Sequence, residues 1–199
     1  MSSPRGVESP ADAVPMTLEA FRRLPEGRGY SLLDGLCCRE PMARFSHQDA
    51  AANVFIALRR HAEAMGSGLA LPPIDVYLDD RNVVVPDAAY LSEARRAALD
   101  ERGLHGVAPD LCVEVLSPST ASRDLGVKAR LYARYGCREY WIVDVEKGRI
   151  HVMHPDAASG MAGAGVCTAG DAVVSAAVPG LRVRVRDVLP AWRPPSGRA

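Results

Sequence analysis

The stretch PDLCVEVLSPST, residues 109–120, constrains the fold more than any other part of the chain. Leu111, Val113 and Val115 alternate with Cys112, Glu114 and Leu116, so a strand here is apolar on both faces. Such a strand belongs inside a sheet that is covered on each side. Glu114 is the exception within the run. An ionised carboxylate among Cys, Leu and Val costs several kcal/mol unless a cation or strong hydrogen-bond donors meet it. Two kinds of partner meet that need: one of the many arginines, in a structural ion pair, or a divalent cation held jointly with a second carboxylate.

The rest of the chain offers elements to cover that strand. Residues 17–24 predict a short helix stopped by Pro25, and YSLLDGLCCREPM predicts two strands turning at Asp34-Gly35. Ser46, with Asp49 three residues on, predicts a capped helix whose buried stripe is Ala51, Val54, Phe55, Leu58, Ala62 and Met65, ending at Gly66. Residues 74–78 and 82–90 are extended around a DDRN turn, and 92–102 form a polar helix or lid. Beyond the 109–116 strand, Ser117-Pro118-Ser119-Thr120 turns the chain into a helix that reaches Tyr135 and stops at Gly136. EYWIVDV and RIHVMH make a hairpin around EKGR, SGMAGAG is expected as a flexible loop, and LRVRVRDVL as a closing strand with Leu181, Val183 and Val185 inward and Arg182, Arg184 and Arg186 outward. Alternating strands and helices predict an α/β (α+β) domain, a mixed sheet flanked by helices, over residues 16–192. The Ser- and Pro-rich ends, 1–15 and 193–199, are expected to be loose tails.

With 199 residues the chain is long enough to bury about 70% of its unfolded surface in one domain. Lys plus Arg equal Asp plus Glu at 24 each, so any nucleic-acid surface has to be a local patch. Five cysteines, Cys37, Cys38, Cys112, Cys137 and Cys167, form no CxxC pair; they suit core positions in a reducing compartment. No apolar run approaches the ~20 residues of a spanning helix, and the start lacks the apolar segment of a signal peptide, so the expected location is the cytoplasm. His151 and His154 face opposite sides of their strand and do not share a zinc. SGMAGAG lacks the Lys-Ser/Thr of a phosphate loop, no GxSxG elbow exists, and Tyr140 and Trp141 are core residues.

A second acid follows a Val-rich strand: Asp87, in VVVPDAAY, either a turn acid after proline or a partner for Glu114 at a neighbouring strand end. Two such acids repel without a cation, and Mg²⁺ accepts one or two carboxylates, a backbone carbonyl and waters. Asp87, Glu114 and the carbonyl of Val115 would make that shell. Lysine usage adds a third group, because Lys128 and Lys147 are the only lysines beside 22 arginines. Lys147 sits in a turn. Lys128 lies about two turns into the helix after the Glu114 strand, with Asp124 and Tyr132 four residues to either side. It is either half of a surface pair with Asp124 or an ammonium aimed at the strand end. Two acids and a lysine around a metal form the set that hydrolyses a phosphodiester.

PDLCVEVLSPST, followed by Asp124, Lys128, Tyr132 and GCREYWIVD, closely resembles the Uma-two family of predicted endonucleases, within the PD-(D/E)XK superfamily. YSLLDG, His47, VVVPDAAY and VPGLRVRVRDVL extend the resemblance over about residues 16–190. It implies a restriction-endonuclease-like fold and an Mg²⁺- or Mn²⁺-dependent endodeoxyribonuclease, with Asp87 and Glu114 as the motif acids. The superfamily lysine usually stands two residues past the second acid, where this chain has Leu116; Lys128 is the matching position on the helix. Relatives often carry acids where this chain has Ser31 and Leu36, with Glu40 nearby, and Asp110 is a family-typical structural acid and the rival of Asp87. Arg123, Arg130, Arg134 and Arg138, with the outward arginines of the last strand, are candidate DNA contacts or a solvated face. Nucleases of this size commonly cut both strands as homodimers, which is the expected assembly. The alternatives are a non-catalytic nucleic-acid-binding or assembly protein that keeps the fold, and a metal-dependent RNase.

Overall fold

The computed structural model describes residues 13–25, 29–40, 43–117 and 120–190. Of the ends expected to be loose, 1–12 and 193–199 lie outside the described residues, as does the expected domain end at 192, while Val14–Pro15 form a short strand. The strands are β1 (Val14–Pro15), β2 (Tyr30–Leu33), β3 (Leu36–Arg39), β4 (Leu69–Leu71), β5 (Val76–Asp79), β6 (Asn82–Val84), β7 (Ala88–Leu91), β8 (Leu99–Asp100), β9 (Gly103–His105), β10 (Leu111–Val115), β11 (Glu139–Asp144), β12 (Arg149–Asp156), β13 (Gly160–Thr168), β14 (Ala172–Val174) and β15 (Arg182–Arg184). The α-helices are α1 (Leu18–Phe21), α2 (Phe45–Met65), α3 (Ala121–Arg123), α4 (Ala129–Arg134) and α5 (Val185–Val188).

β10 lies inside a six-stranded sheet of order β13-β12-β11-β10-β7-β4. It runs parallel to β11 and antiparallel to β7. Leu111, Val113 and Val115 pack with Val54 and Leu58 of α2 in one core. Cys112 points into the opposite core, with Leu131 and Tyr132 of α4. Both apolar faces are therefore covered, and each fully buried Leu or Val contributes about 1.5–3 kcal/mol. A charge at Val113, which has no exposed surface, would break the sheet at its centre.

A second sheet has the order β1-β3-β2-β6-β5-β9-β8, and β14 pairs with β15 alone. The chain leaves the seven-stranded sheet after Val84 and enters the six-stranded one at Ala88. Pro86 falls between them, where its missing N–H costs no ladder bond, and Asp87 follows at the crossing. The β2–β3 turn has φ of 52° at Asp34 and 81° at Gly35, as a two-residue primed turn requires.

Several sequence expectations are corrected. SGMAGAG, from Gly160 onward, is the first part of β13, an edge strand paired along the length of β12, and not a flexible loop. Its Gly and Ala residues carry no hydrophobic period, and β12 supplies the backbone partners that order it. α2 begins one residue before Ser46, with Arg44 at the N-cap and no side-chain cap bond, so the capping box does not form; Met65 is exposed. Residues 92–102, expected as a polar helix or lid, hold a polar 3-10 helix, Glu93–Ala98, in agreement with the first of the two. Arg95 ties it down by donating to the carbonyls of Ala108 (2.6 Å) and Gly136 (2.7 Å). The last strand stops at Arg184 and continues as α5, though Leu181, Val183 and Val185 are buried as expected. Among the described residues no helix is long and apolar enough to cross a membrane.

Candidate active site

Three elements converge on Glu114: β10, which carries it, the end of β7 beside it, and the helix that follows β10. That helix is one run, 121–134, formed by α3, a π turn over Asp124–Lys128, and α4. In a regular α-helix four residues turn through a circle and roughly 40° more, so Asp124, Lys128 and Tyr132 would wind progressively around the axis. The wider π turn rotates through less than a circle over the same span and offsets that drift. All three side chains are consequently buried toward the sheet.

Lys128 is 3% exposed, and its Nζ lies 3.0 Å from Glu114 Oε1 and 3.4 Å from Asp124 Oδ1. The surface Asp124–Lys128 pair is thus replaced by a buried cluster. Tyr132 donates its hydroxyl to the same Glu114 oxygen at 2.7 Å, and Tyr140 donates to the Asp124 carbonyl at 3.1 Å. Glu114 Oε1 is doubly engaged, whereas Oε2 meets no hydrogen-bond donor among the described residues. Asp87, immediately before β7, closes the group. Its Oδ2 accepts the Val115 N–H at 2.7 Å and lies 3.3 Å from His47 Nε2. The backbone N–H of Asp87 donates to the Val113 carbonyl, which fixes the acid one strand from Glu114.

The electrostatics follow from this burial. Removal from water pushes the Glu114 carboxyl well above its ordinary value; Lys128 opposes the shift, and Asp124 and Asp87 add to it. Burial likewise raises Asp87, against the pull of His47, the Val115 N–H and Lys128. Burial alone would discharge Lys128, but Glu114, Asp124, Glu40 and Asp87 outweigh it and hold the ammonium charged. Burial and the nearby Glu114 raise the Tyr132 phenol, which stays a donor.

A second polar cluster adjoins the first. Ser31 donates to Glu40 at 2.5 Å, and the other Glu40 oxygen lies 3.4 Å from Arg123. The position expected to lack a supporting acid is thus served from the end of the same hairpin. Counted together, Asp87, Glu114, Asp124 and Glu40 set four carboxylates against two permanent cations, Lys128 and Arg123.

A divalent cation fits this donor set. With all four acids ionised the cluster has two negative charges in excess of its permanent cations, which a divalent cation would balance, and Glu114 and Asp87 each have one oxygen without a protein donor among the described residues. Val115 meets Asp87 through its N–H, so its carbonyl belongs to the same corner. Among the described residues no three His, Cys, Asp or Glu side chains form a metal cage. Mg²⁺ does not require one, because it is commonly held by one or two carboxylates together with substrate phosphates.

Other candidates lie elsewhere. Asp110 stands at the opposite end of β10, where it accepts the Ser92 N–H at 2.8 Å and faces Arg95 and Arg138. Arg130 and Arg134 are exposed on the site helix, whereas Arg123 is 9% exposed and turned toward Glu40. Sequence reasoning missed Glu139, a fully buried carboxylate that binds the 175–177 segment. The available signal was Trp141 two residues on, on the same strand face, with an indole N–H in need of an acceptor.

The model of the Uma2 family, described as "Putative restriction endonuclease", matches residues 18–186. Among solved structures, this fold is similar to the crystal structure of a "putative nuclease belonging to DUF820 from Anabaena variabilis ATCC 29413". The TM-score is 0.71 at 20% identity, over 87% of this chain and 97% of that one. No curated protein matches the chain. At that identity the structural likeness carries the fold alone, which is restriction-endonuclease-like. The family match spans the β2–β3 hairpin, Asp87, Glu114 and the whole site helix, and by it the chain belongs to the Uma2 family of restriction-endonuclease-like proteins.

Proposed function

We propose that the protein is a metal-dependent endonuclease that hydrolyses DNA phosphodiester bonds. Asp87, Glu114 and the Val115 carbonyl would hold one Mg²⁺ or Mn²⁺ at the crossing between the two sheets. Such an ion supplies charge neutralisation at a scissile phosphate and lowers the pKa of a water. The observation that carries the reading is the shared contact on Glu114 Oε1: a buried ammonium at 3.0 Å and a phenol at 2.7 Å. These two donors orient the carboxylate and leave its second oxygen for a cation. A bound cation would also hold Glu114 ionised where burial alone favours the proton.

Lys128 then has two tasks. Its charge, kept by Asp124 and Glu114, stabilises negative charge developing on the phosphate, and its N–H groups orient the attacking water. Asp124, 3.4 Å from the ammonium, is the second carboxylate that supports its charge while Glu114 faces both Lys128 and the cation. The exposed Arg130 and Arg134 supply backbone contacts to the duplex, and Arg123 supplies one nearer the centre.

Plasmid cleavage tests this directly. Wild type is expected to nick supercoiled DNA with Mn²⁺ and to stop with EDTA, and Asp87→Ala, Glu114→Ala and Lys128→Ala are each expected to lose at least about tenfold, or ~1.4 kcal/mol of barrier. Equal nicking by all four proteins would overturn the assignment. Cleavage of RNA alone would move the substrate class.

A further inference from the structure

Arg123 is nine-tenths buried beside the site, yet its donors are barely used. A guanidinium presents five N–H groups in a planar fork. Among the described residues, Arg123 meets one carboxylate, Glu40, at 3.4 Å, and makes no hydrogen bond to an oxygen. The Cys38 sulfur is its other polar neighbour. Lys128, five residues on, in contrast donates a hydrogen bond to Glu114 at 3.0 Å and adds an ion pair with Asp124 at 3.4 Å. Glu40 is itself fixed, because Ser31, which has no exposed surface, donates to its other oxygen at 2.5 Å. The arginine is thus held at a long distance by an acid that is held at a short one.

We propose that Arg123 binds a backbone phosphate of the nucleic acid next to the scissile one, and that Glu40 is a placeholder carboxylate that the phosphate displaces. A phosphate offers two oxygens to the fork and forms the short bidentate contact that Glu40 does not make. Displacement moves no proton and leaves Glu40 on Ser31. Glu40 is therefore a positioning residue: it keeps the guanidinium folded toward the site at the cost of some affinity. The inference rests on the nuclease reading, because it takes nucleic acid as the ligand.

The test is equilibrium binding of a short fluorescent duplex of random sequence to the full chain in EDTA, across a salt series. Arg123→Ala should weaken binding several-fold and make the salt dependence shallower by about one phosphate contact. Glu40→Gln should tighten binding about threefold or more, because the competitor charge is gone. Ser31→Ala, which removes only the hydroxyl that fixes Glu40, should tighten it less and keeps the test valid if Glu40→Gln folds poorly. The deciding protein is the double variant E40Q/R123A, which should bind like Arg123→Ala. A gain from Glu40→Gln that survives in the Arg123→Ala background would mean that Glu40 acts through its general field, and would overturn the proposal. Weaker binding by Glu40→Gln would overturn it too. Wild type that binds no duplex at any salt would instead remove the nuclease reading beneath it.

Discussion

Two buried glutamates on adjacent parallel strands serve opposite ends. Glu139, on β11, shares its face with Trp141 and the α2 core; Glu114, on β10, shares its face with Cys112 and the core of the site helix. Glu139 has both oxygens filled. Trp141 Nε1 donates to one at 2.5 Å, and the Ser175 hydroxyl and the N–H groups of Ala176 and Ala177 donate to the other at 3.1, 2.6 and 2.8 Å. None of these donors is a permanent cation, and the carboxylate pins a loop to the sheet. Glu114 has one oxygen shared by an ammonium and a phenol and the other without a protein donor among the described residues. Burial of a carboxylate is thus no mark of chemistry by itself. What separates the two sites is the kind of donor each one meets and whether an oxygen is left over.

The largest effect that would sharpen this contrast is on stability at Glu139. Glu139→Ala strands four donors, three of them buried, and urea unfolding should show a loss of about 3–5 kcal/mol. Loss below about 1 kcal/mol would mean the loop is held by other contacts. Next comes Lys128→Met, which leaves Glu114 and Asp124 buried together without their cation. Its cost should be about 2–3 kcal/mol, under the 3–5 typical of a broken buried pair, because Glu114 can take up a proton. Adding Glu114→Gln to Lys128→Met should restore most of that stability and none of the cleavage, separating folding from chemistry in one pair of proteins.

Glu114→Gln alone should do the reverse of Glu139→Ala. The amide keeps an oxygen for Lys128 and Tyr132, so stability should stay within about 1 kcal/mol, while plasmid cleavage falls at least tenfold, ~1.4 kcal/mol of barrier. If Glu114→Gln unfolds the protein as Glu139→Ala does, the two glutamates play the same role and the contrast fails. The smallest effect is at Tyr132→Phe, which removes one donor from Glu114 and should cost about 1 kcal/mol of stability. Cleavage should drop less than in Glu114→Gln, as a cleavage time course would show.

The same contrast explains what the sequence could reveal. Glu114 was legible because an acid inside an apolar two-faced strand demands an explanation, and Lys128 because it is one of two lysines among 22 arginines. Asp87 followed from a proline-terminated Val run. Each of these signals lies within a few residues of its subject. Glu139 escaped because its partners come from the remote 175–177 loop, and the burial of Arg123, expected only as a DNA contact or a solvated arginine, escaped because its partner comes from the β2–β3 hairpin. Arg123 therefore looked like a surface arginine. Among the elements, β10 was legible from its period, whereas β13 was not, since Gly and Ala residues form a strand only when a neighbour supplies the ladder. The π turn was equally hidden, because no residue in Asp124–Lys128 announces it, and the axial alignment of three side chains depends on it.

Isothermal titration of Mn²⁺ into wild type and Glu114→Gln addresses the central claim without relying on a substrate. The account predicts a saturable binding event in wild type that is lost in Glu114→Gln while the variant's unfolding midpoint stays close to the wild-type value. No binding in wild type, with duplex binding retained, would contradict it and leave a protein that keeps the nuclease fold without its chemistry.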